Sequence, residues 1–230
     1  MIRFTSNRRN VLKTIWALFN LIGGLTTLYL MVIRPWHLKW GATAAEAQRP
    51  LPGDEFVPDA QIKATHAVTI AAPIDRVWPW IAQIGQGRGG FYSYDFIENL
   101  MGLDIHTADR IMPEYQNLKV GDLIPLASDG FGVPVAIVEP PYTLVAHGDT
   151  RIGSAGPPMR PGDYLNVSWG WYLNRIDDHT TRFVERWRAD WGPGLLNQIA
   201  YRVFLEPGAF IMERKMLLGI KQRAEKQLPG

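Results

Sequence analysis

Residues 181–191 alternate in a way that would bury a carboxylate. One face of the predicted strand carries Phe183, Glu185 and Trp187, whereas arginines occupy three positions of the other face. Because side chains alternate between the two faces of a strand, the first set predicts the inner face of a sheet. A buried carboxylate is costly unless it is paired or protonated. Glu185 is therefore either one half of a structural ion pair or a polar contact, and a candidate acid or base, within a cavity.

Aromatic residues repeat the same inward pattern on the preceding strand. Trp169 and Trp171 stand at alternate positions with Leu173. Large aromatic side chains fill protein cores, and they also line the apolar pockets that hold small molecules. Both interpretations stay open at this point. The residues of these strands predicted as ligand contacts are Trp169, Trp171, Phe183, Glu185 and Trp187.

A glycine-rich segment, Gly85-Gln86-Gly87-Arg88-Gly89-Gly90, matches the spacing of a dinucleotide-binding loop. Such a loop requires a buried strand before it and a helix after it, so that the helix N-terminus meets the pyrophosphate. The residues before Gly85 have helical spacing instead, which argues against a dinucleotide site. Two interpretations remain. The segment is either a turn between two helices or a loop whose N–H groups and Arg88 hold an acidic head group, at a cavity mouth lined by Tyr92 and Tyr94.

Other polar residues form no recognised catalytic or metal-binding motif. The chain has no cysteine, which excludes disulfides, thiolate metal sites and cysteine nucleophiles. Acidic residues and a histidine cluster between positions 104 and 114, but they lack the spacing of a metal site, and a solvated polar face explains them. His66, alone in an apolar strand face, is interpreted as a hydrogen-bonded core residue. The sequence therefore predicts no metal and no cofactor.

The N-terminal segment carries the clearest physical signal. Thr14–Ile33 runs for 20 residues without a charge, and a helix of that length spans about 30 Å, the thickness of a bilayer's hydrocarbon core. We interpret it as an uncleaved, single-pass membrane anchor. A cleaved signal peptide and a buried soluble helix are the alternatives, and a small-x-small motif for cleavage occurs only at Ala45-Glu46-Ala47. The basic residues before the helix slightly favour a globular part outside the cytoplasm.

The distribution of charge argues against nucleic-acid binding. The net charge is +2, but the first 39 residues hold six basic residues and no acidic one. The remainder of the chain is therefore net acidic, and a surface of that sign does not attract a phosphate backbone. The distribution of charge does not indicate a particular protein partner.

The remaining periodicity predicts an α+β domain in the C-terminal part of the chain. The predicted segments are a basic tail (1–13), the anchor (14–33), a proline-rich linker (34–60) and the domain itself (61–228). The predicted elements of the domain are a strand at 62–72, helices at 75–84 and 93–101, a meander of five short strands between 122 and 189 with a long loop at 148–163, and an amphipathic helix at 206–227. An antiparallel sheet beneath a long helix leaves room for an apolar cavity.

Three stretches of the domain resemble the START-like superfamily, also called SRPBCC, which has this order of elements. They are Ala72–Trp80, Gly85–Asp95 and Met216–Lys221, and the resemblance covers about residues 60–228. The second stretch is the most specific, and it is similar to a bacterial branch labelled polyketide cyclase/dehydrase and lipid transport. The resemblance implies the helix-grip fold, in which a curved antiparallel sheet wraps around a long C-terminal helix and encloses a cavity for an apolar ligand.

These observations leave three classes of function. The first is a membrane-anchored domain that binds or transports an apolar small molecule, such as a lipid, an isoprenoid or a polyketide-like compound. The second is an enzyme of the polyketide cyclase/dehydratase type that acts on such a ligand, with Glu185 or a histidine as base. The third is a structural or partner-binding membrane protein. The lack of a recognised nucleophile, metal or cofactor motif favours binding over catalysis.

Overall fold

The computed structural model describes residues 5–154 and 163–226, and the chain forms two compact units, Met1–Leu38 and Lys39–Gly230. In the first unit, α1 (Thr5–Leu28) continues through a π-helical turn into α2 (Arg34–His37). Over Asn10–His37 this helix has 28 residues and a mean hydropathy of 1.7. It is long and apolar enough to cross a membrane, two properties that a signal sequence shares.

The second unit is built on a six-stranded antiparallel sheet with the order β1-β6-β5-β4-β3-β2. Its strands are β1 (Ile62–Ile70), β2 (Leu123–Pro125), β3 (Gly132–Glu139), β4 (Thr143–Asp149), β5 (Leu165–Asp177) and β6 (Thr180–Trp191). Successive hairpins connect β2 to β6, and β1 pairs with β6, so that the first and last strands are neighbours. The predicted α+β class and the meander of five strands are confirmed.

Helices lie before, within and after the strands of this unit. They are α3 (Ala44–Gln48), α4 (Ile74–Ala82), α5 (Asp95–Leu100), α6 (Leu195–Ile199) and α7 (Glu206–Glu225). α7 packs against β1 and α4, and buries a stripe that includes Met216, Ile220 and Ala224. Because these residues recur at intervals of four, they face one side of the helix. The long C-terminal helix on the sheet gives the helix-grip arrangement, as predicted.

The structure differs from the predicted elements at α6 and at the long loop. α6 was not predicted, because the exposed Leu195 and Leu196 at its start give no one-sided apolar period. The predicted loop at 148–163 begins with a single helical turn at Thr150–Ile152. Its residues 155–162 lie outside the described part of the chain, as does position 227, the predicted end of α7.

Residues 41–58, here called the strap, are a correction to the predicted linker. Thr43 and Glu46 form a reciprocal capping box at the start of α3. Arg186 on the outer face of β6 is only 2% exposed, and it donates to the backbone oxygens of Glu46 and Arg49 in the strap. The prolines of this segment indicated a linker. A packed segment also tolerates proline where it offers carbonyl oxygens rather than N–H groups to the sheet.

Candidate functional site

A cleft lies between the inner face of the sheet and α7. It consists of two apolar recesses with volumes of about 170 and 250 Å³, which share four walls: Leu126, Trp169, Ala209 and Glu213. The smaller recess is completed by Val133, Val167, Trp187 and Leu205. The larger is completed by Phe91, Ser93, Glu98, Met101, Leu103, Met212 and Met216. The cleft is therefore an apolar space with a carboxyl group, that of Glu213, at the junction of its two halves.

The register of the sheet brings His66 and Glu185 together beside this cleft. The two residues are directly paired across β1 and β6, and such pairs have adjacent side chains. His66 Nδ1 lies 2.9 Å from Oε2 of Glu185, and neither residue is more than 1% exposed. On β5, Trp169 donates its indole N–H to Oε1 of Glu185 at 2.6 Å. Both oxygens of Glu185 therefore have a hydrogen-bond partner.

α7 adds a second carboxylate to this pair. Oε2 of Glu213 lies 3.2 Å from the same His66 Nδ1. That nitrogen has one proton, which it shares with Glu185 at the shorter distance, and Oε2 of Glu213 has no hydrogen-bond partner within the described residues. His66, Glu185 and Glu213, here called the inner cluster, thus combine two carboxyl groups with a single imidazole.

The electrostatics of the inner cluster favour a proton on Glu213. Burial lowers the pKa of His66, but its interactions with Glu185 and Glu213 outweigh burial and raise it to about 10. Burial and the charge of Glu185 raise the pKa of Glu213 to about 8, although the attraction of His66 and a hydrogen bond from Trp187 act in the opposite direction. At neutral pH His66 is then a cation and Glu213 a neutral acid. A neutral carboxylic acid both donates a hydrogen bond and can transfer its proton.

The inner cluster also has the donor atoms of a metal site. One imidazole nitrogen and two carboxylate oxygens lie within 4.8 Å of one another, a combination that several divalent metals accept. These donors come from three elements far apart in the chain, so that no ligand spacing in the sequence reveals them. In the structure Nδ1 of His66 lies 2.9 Å from one carboxyl group and 3.2 Å from the other, which is the spacing of a hydrogen-bonded cluster.

The predicted aromatic contacts divide between the cleft and the solid core. Trp169 and Trp187 line the cleft, and Glu185 is bonded to the first of them. Trp171 and Phe183 are fully buried and do not belong to the described walls of either recess. The alternation of the sequence could not separate these two groups, because lining and core residues project from the same face of the sheet.

Arg88 lies away from the cleft, contrary to its predicted place at the cavity mouth. Its guanidinium donates to the backbone oxygens of Ala82 at 2.8 Å and Tyr115 at 3.4 Å, and it borders a separate polar depression of about 290 Å³. The N–H groups of Gly85 and Gly90 bond each other's carbonyl oxygens at 3.0 Å, and both residues have positive φ. The segment has the geometry of a structural turn, and this geometry gives no support to the predicted contact with an acidic head group.

Tyr92 and Tyr94 likewise contact α7 rather than line the described cleft. Tyr92 is 1% exposed, and a Cβ at Gly219 of α7 would collide with its carbonyl oxygen. The ring of Tyr94 faces the ammonium group of Lys215, 5.6 Å from the ring centroid. Both tyrosines therefore fix the glycine-rich segment against α7, which is close packing rather than an entrance.

Glu213 is the residue of the site that sequence analysis missed. It falls on the apolar stripe of α7, four residues after Ala209 and three before Met216. A charged residue at a buried position of an amphipathic helix is the signal that would have found it. His66 was noticed, but its interpretation as a core residue omitted the two carboxyl groups that tertiary packing brings to it.

Comparisons with known proteins identify no family for this chain. No family model matches the chain, and no curated protein matches it. A conserved protein from Geobacillus kaustophilus is 15% identical with a TM-score of 0.37, over 71% of this chain and 95% of that protein. A hypothetical protein from Helicobacter pylori is 13% identical with a TM-score of 0.47, over 80% and 99%. The Zhui aromatase/cyclase from a Streptomyces species is 14% identical with a TM-score of 0.31, over 71% and 93%.

Proposed function

We propose that this protein is a membrane-anchored member of the START-like superfamily that binds an apolar small molecule in the cleft between its sheet and α7. The observation that carries the proposal is the pair of adjoining apolar recesses, about 170 and 250 Å³ in volume, walled mainly by aliphatic and aromatic side chains. Sites for small molecules are typically concave and apolar, with a few polar groups that orient the ligand. Glu213 is such a polar group in the wall that both recesses share.

The proposed anchor is Thr14–Ile33, held in the bilayer without cleavage. Its competitor, a signal peptide, would be cut near Ala45-Glu46-Ala47, inside α3. Glu46 receives two hydrogen bonds of 2.8 Å from Arg182 on the sheet, and its backbone oxygen binds Arg186. Cleavage at this point would cut the segment that accepts hydrogen bonds from Arg182 and Arg186. This supports an anchor that is not cleaved. The excess of basic residues before the helix supports a domain outside the cytoplasm.

The binding proposal is tested by mass spectrometry of organic extracts from the purified full-length protein. We expect a copurified apolar molecule that Ala209→Trp removes, because residue 209 lines both recesses. Ile211→Trp is the matched control, since this side chain is 51% exposed on the same helix. Equal amounts of the molecule in both variants would show that it does not occupy the cleft.

The anchor is tested by washing membranes with alkaline carbonate and sequencing the protein that remains. We expect the chain to stay in the membrane fraction with its N-terminal residues intact, because a spanning helix is not extracted by salt or alkali. A mature protein that begins near Gln48 would identify a cleaved signal peptide instead.

A second candidate function is acid–base catalysis on the bound molecule, and the inner cluster favours it. A buried acid whose pKa lies near neutrality is suited to proton transfer, and Glu213 has this property at the cleft. The experiment compares the molecules that copurify with wild-type protein and with Glu213→Gln. An enzyme would accumulate unconverted substrate in the variant, whereas a carrier would hold the same molecule in both proteins.

A further inference from the structure

We propose that the cleft selects a neutral apolar molecule whose polar end is a hydrogen-bond-accepting oxygen, such as a ketone or ester carbonyl, and that Glu213 donates the hydrogen bond. The inference rests on the proposed binding of an apolar ligand and adds which polar group that ligand carries. His66 and Glu185 act as positioning residues, because His66 lies 3.2 Å from Glu213, whereas Glu185 holds His66 and disfavours ionisation of Glu213 by its charge.

The charge of the cleft lining disfavours an anionic ligand. Glu213 and Glu98 are the ionisable side chains among the described walls of the two recesses, and no lysine or arginine belongs to them. Burial raises the pKa of Glu98, whose Oε1 accepts a hydrogen bond from Ser93. An anionic head group would lose its hydration here and find no cation in exchange, which is costly.

The cations nearest to Glu213 on its own helix have other partners. The guanidinium of Arg214 lies 4.9 Å from the ring centroid of Trp40, and Lys215 faces Tyr94. Glu206, two turns earlier on the same helix, is a further buried carboxyl group. The titratable groups of the sheet that face Glu213 are His66 from β1 and Glu185 from β6, and the indole N–H of Trp187 is a further donor to it. The charges around Glu213 therefore amount to one imidazolium among several acids.

The protons available in the inner cluster favour a hydrogen-bond acceptor on the ligand. Nδ1 of His66, which carries one proton, lies 2.9 Å from Oε2 of Glu185 and 3.2 Å from Oε2 of Glu213. An ionised Glu213 would keep a buried oxygen without a donor, whereas a protonated Glu213 has an O–H that requires an acceptor. The neighbouring walls of the smaller recess are aliphatic and indole groups. A carbonyl oxygen on the ligand supplies the acceptor that these walls lack.

The test compares four probes that share one dodecyl chain: the alkane, a methyl ketone, a carboxylate and a primary amine. Full-length protein in nanodiscs is titrated by tryptophan fluorescence, with empty nanodiscs as the blank for partitioning. At neutral pH we expect the ketone to bind about three- to tenfold more tightly than the alkane, the effect of one neutral hydrogen bond. The carboxylate and the amine should bind more weakly than the ketone. The ketone preference should disappear as the pH rises above about 8, since Glu213 then ionises.

Two substitutions separate the donor from the fold. Glu213→Gln retains an N–H donor that does not titrate, so that the ketone preference should persist above pH 8, whereas Glu213→Leu should remove the preference and keep alkane binding. Glu225→Gln is the matched control on α7, because its carboxylate binds Lys221 and the backbone of Ala71. If Glu213→Leu does not fold, the pH profiles of the wild type and Glu213→Gln decide the question.

The other outcomes of these measurements contradict either the hydrogen-bond donor or the proposed binding function. Tighter binding of the carboxylate or the amine than of the ketone overturns the inference, and so does a wild-type preference that is independent of pH. Stoichiometric metal that elemental analysis finds in the wild type and not in Glu213→Gln also overturns it, because a metal would replace the proton. Equal binding of alkane and ketone refutes the donor but leaves the binding function standing. Wild-type protein that binds none of the probes refutes the proposed function itself.

Discussion

Strand β6 separates two buried ionic clusters that differ in how completely their charges are compensated. On the outer face, in what is here called the outer cluster, Arg186 donates five hydrogen bonds, to Thr65, Asp54 and three backbone oxygens of the strap. On the inner face, Glu185 and Glu213 share one imidazole, and the inner cluster borders an apolar cleft. Every N–H group of Arg186 therefore has an acceptor, whereas Oε2 of Glu213 has no hydrogen-bond partner within the described residues. Glu185, Arg186 and Glu213 are all buried, so that the unsatisfied carboxyl oxygen, rather than burial, distinguishes Glu213 as the functional candidate.

The largest effect should come from removal of the strap. A chain that begins at Lys39 retains every acceptor of Arg186, whereas one that begins at Glu55 loses Asp54 and the carbonyl oxygens of residues 46, 47 and 49. We expect the longer chain to be soluble and folded and the shorter one to aggregate, as judged by gel filtration and circular dichroism. If residues 39–54 were only a linker, both chains would fold equally well.

Replacement of the buried arginine should have the next largest effect. Arg186→Met removes the hydrogen-bond donor to Thr65 and to three backbone oxygens of the strap, and it leaves Asp54 with Arg188, at 3.4 Å, as its ion-pair partner. We therefore expect a loss of about 3–5 kcal/mol in the free energy of unfolding. Arg175→Met is the control, because Arg175 is 47% exposed in its ion pair with Asp178, and exposed pairs contribute less than about 1 kcal/mol. Chemical denaturation measures both, and equal losses would contradict the structural role of the outer cluster.

Loss of one carboxylate of the inner cluster should lower the free energy of unfolding by less than the loss of Arg186. In Glu185→Gln, His66 keeps Glu213 as a counter-ion and Trp169 keeps an acceptor, so that we expect less than about 2 kcal/mol of destabilisation. The pKa of Glu213 should fall, since the repulsive charge of Glu185 is one cause of its elevation. Infrared spectra with isotope-labelled glutamate report that ionisation. A loss as large as that of Arg186→Met would indicate that the inner cluster is as structural as the outer one.

Three shifted pKa values should make the free energy of unfolding depend on pH. The hydrogen bond from Arg182 lowers the pKa of Glu46 from 4.5 to about 2, so that this contribution is complete above pH 4.5 and is lost as the pH falls to 2. The pKa of His66 rises from 6.5 to about 10, so that its contribution is complete below pH 6.5 and is lost as the pH rises to 10. The raised pKa of Glu213 adds a decline between pH 4.5 and 8.

Denaturation at a series of pH values measures these contributions separately. Glu46→Gln should flatten the acid decline, and Glu213→Gln should flatten the decline between pH 4.5 and 8, because glutamine does not titrate. If both substitutions altered the same limb of the profile, the Glu46–Arg182 pair and the inner cluster would not be electrostatically independent.

The sequence by itself determined the elements and their faces. The uncharged stretch Thr14–Ile33 predicted a long apolar helix, and the alternation around Glu185 predicted which side of β6 faces inward. It also indicated that Glu185 needs a partner, because the cost of a buried carboxylate does not depend on the fold. Such inferences succeed because the periods of helices and strands, and the hydration of charges, are local properties.

Only the tertiary structure decided which residues meet. His66, Glu185 and Glu213 are separated by 119 and 28 positions in the chain, and they come together through the β1–β6 register and the packing of α7. The same packing turned a proline-rich segment into the strap and directed Arg88 to backbone oxygens instead of the cleft. Proton affinity depends on distances to other charges and to water. Glu213 can therefore be identified as a neutral acid from the folded structure, but not from any local pattern of the sequence.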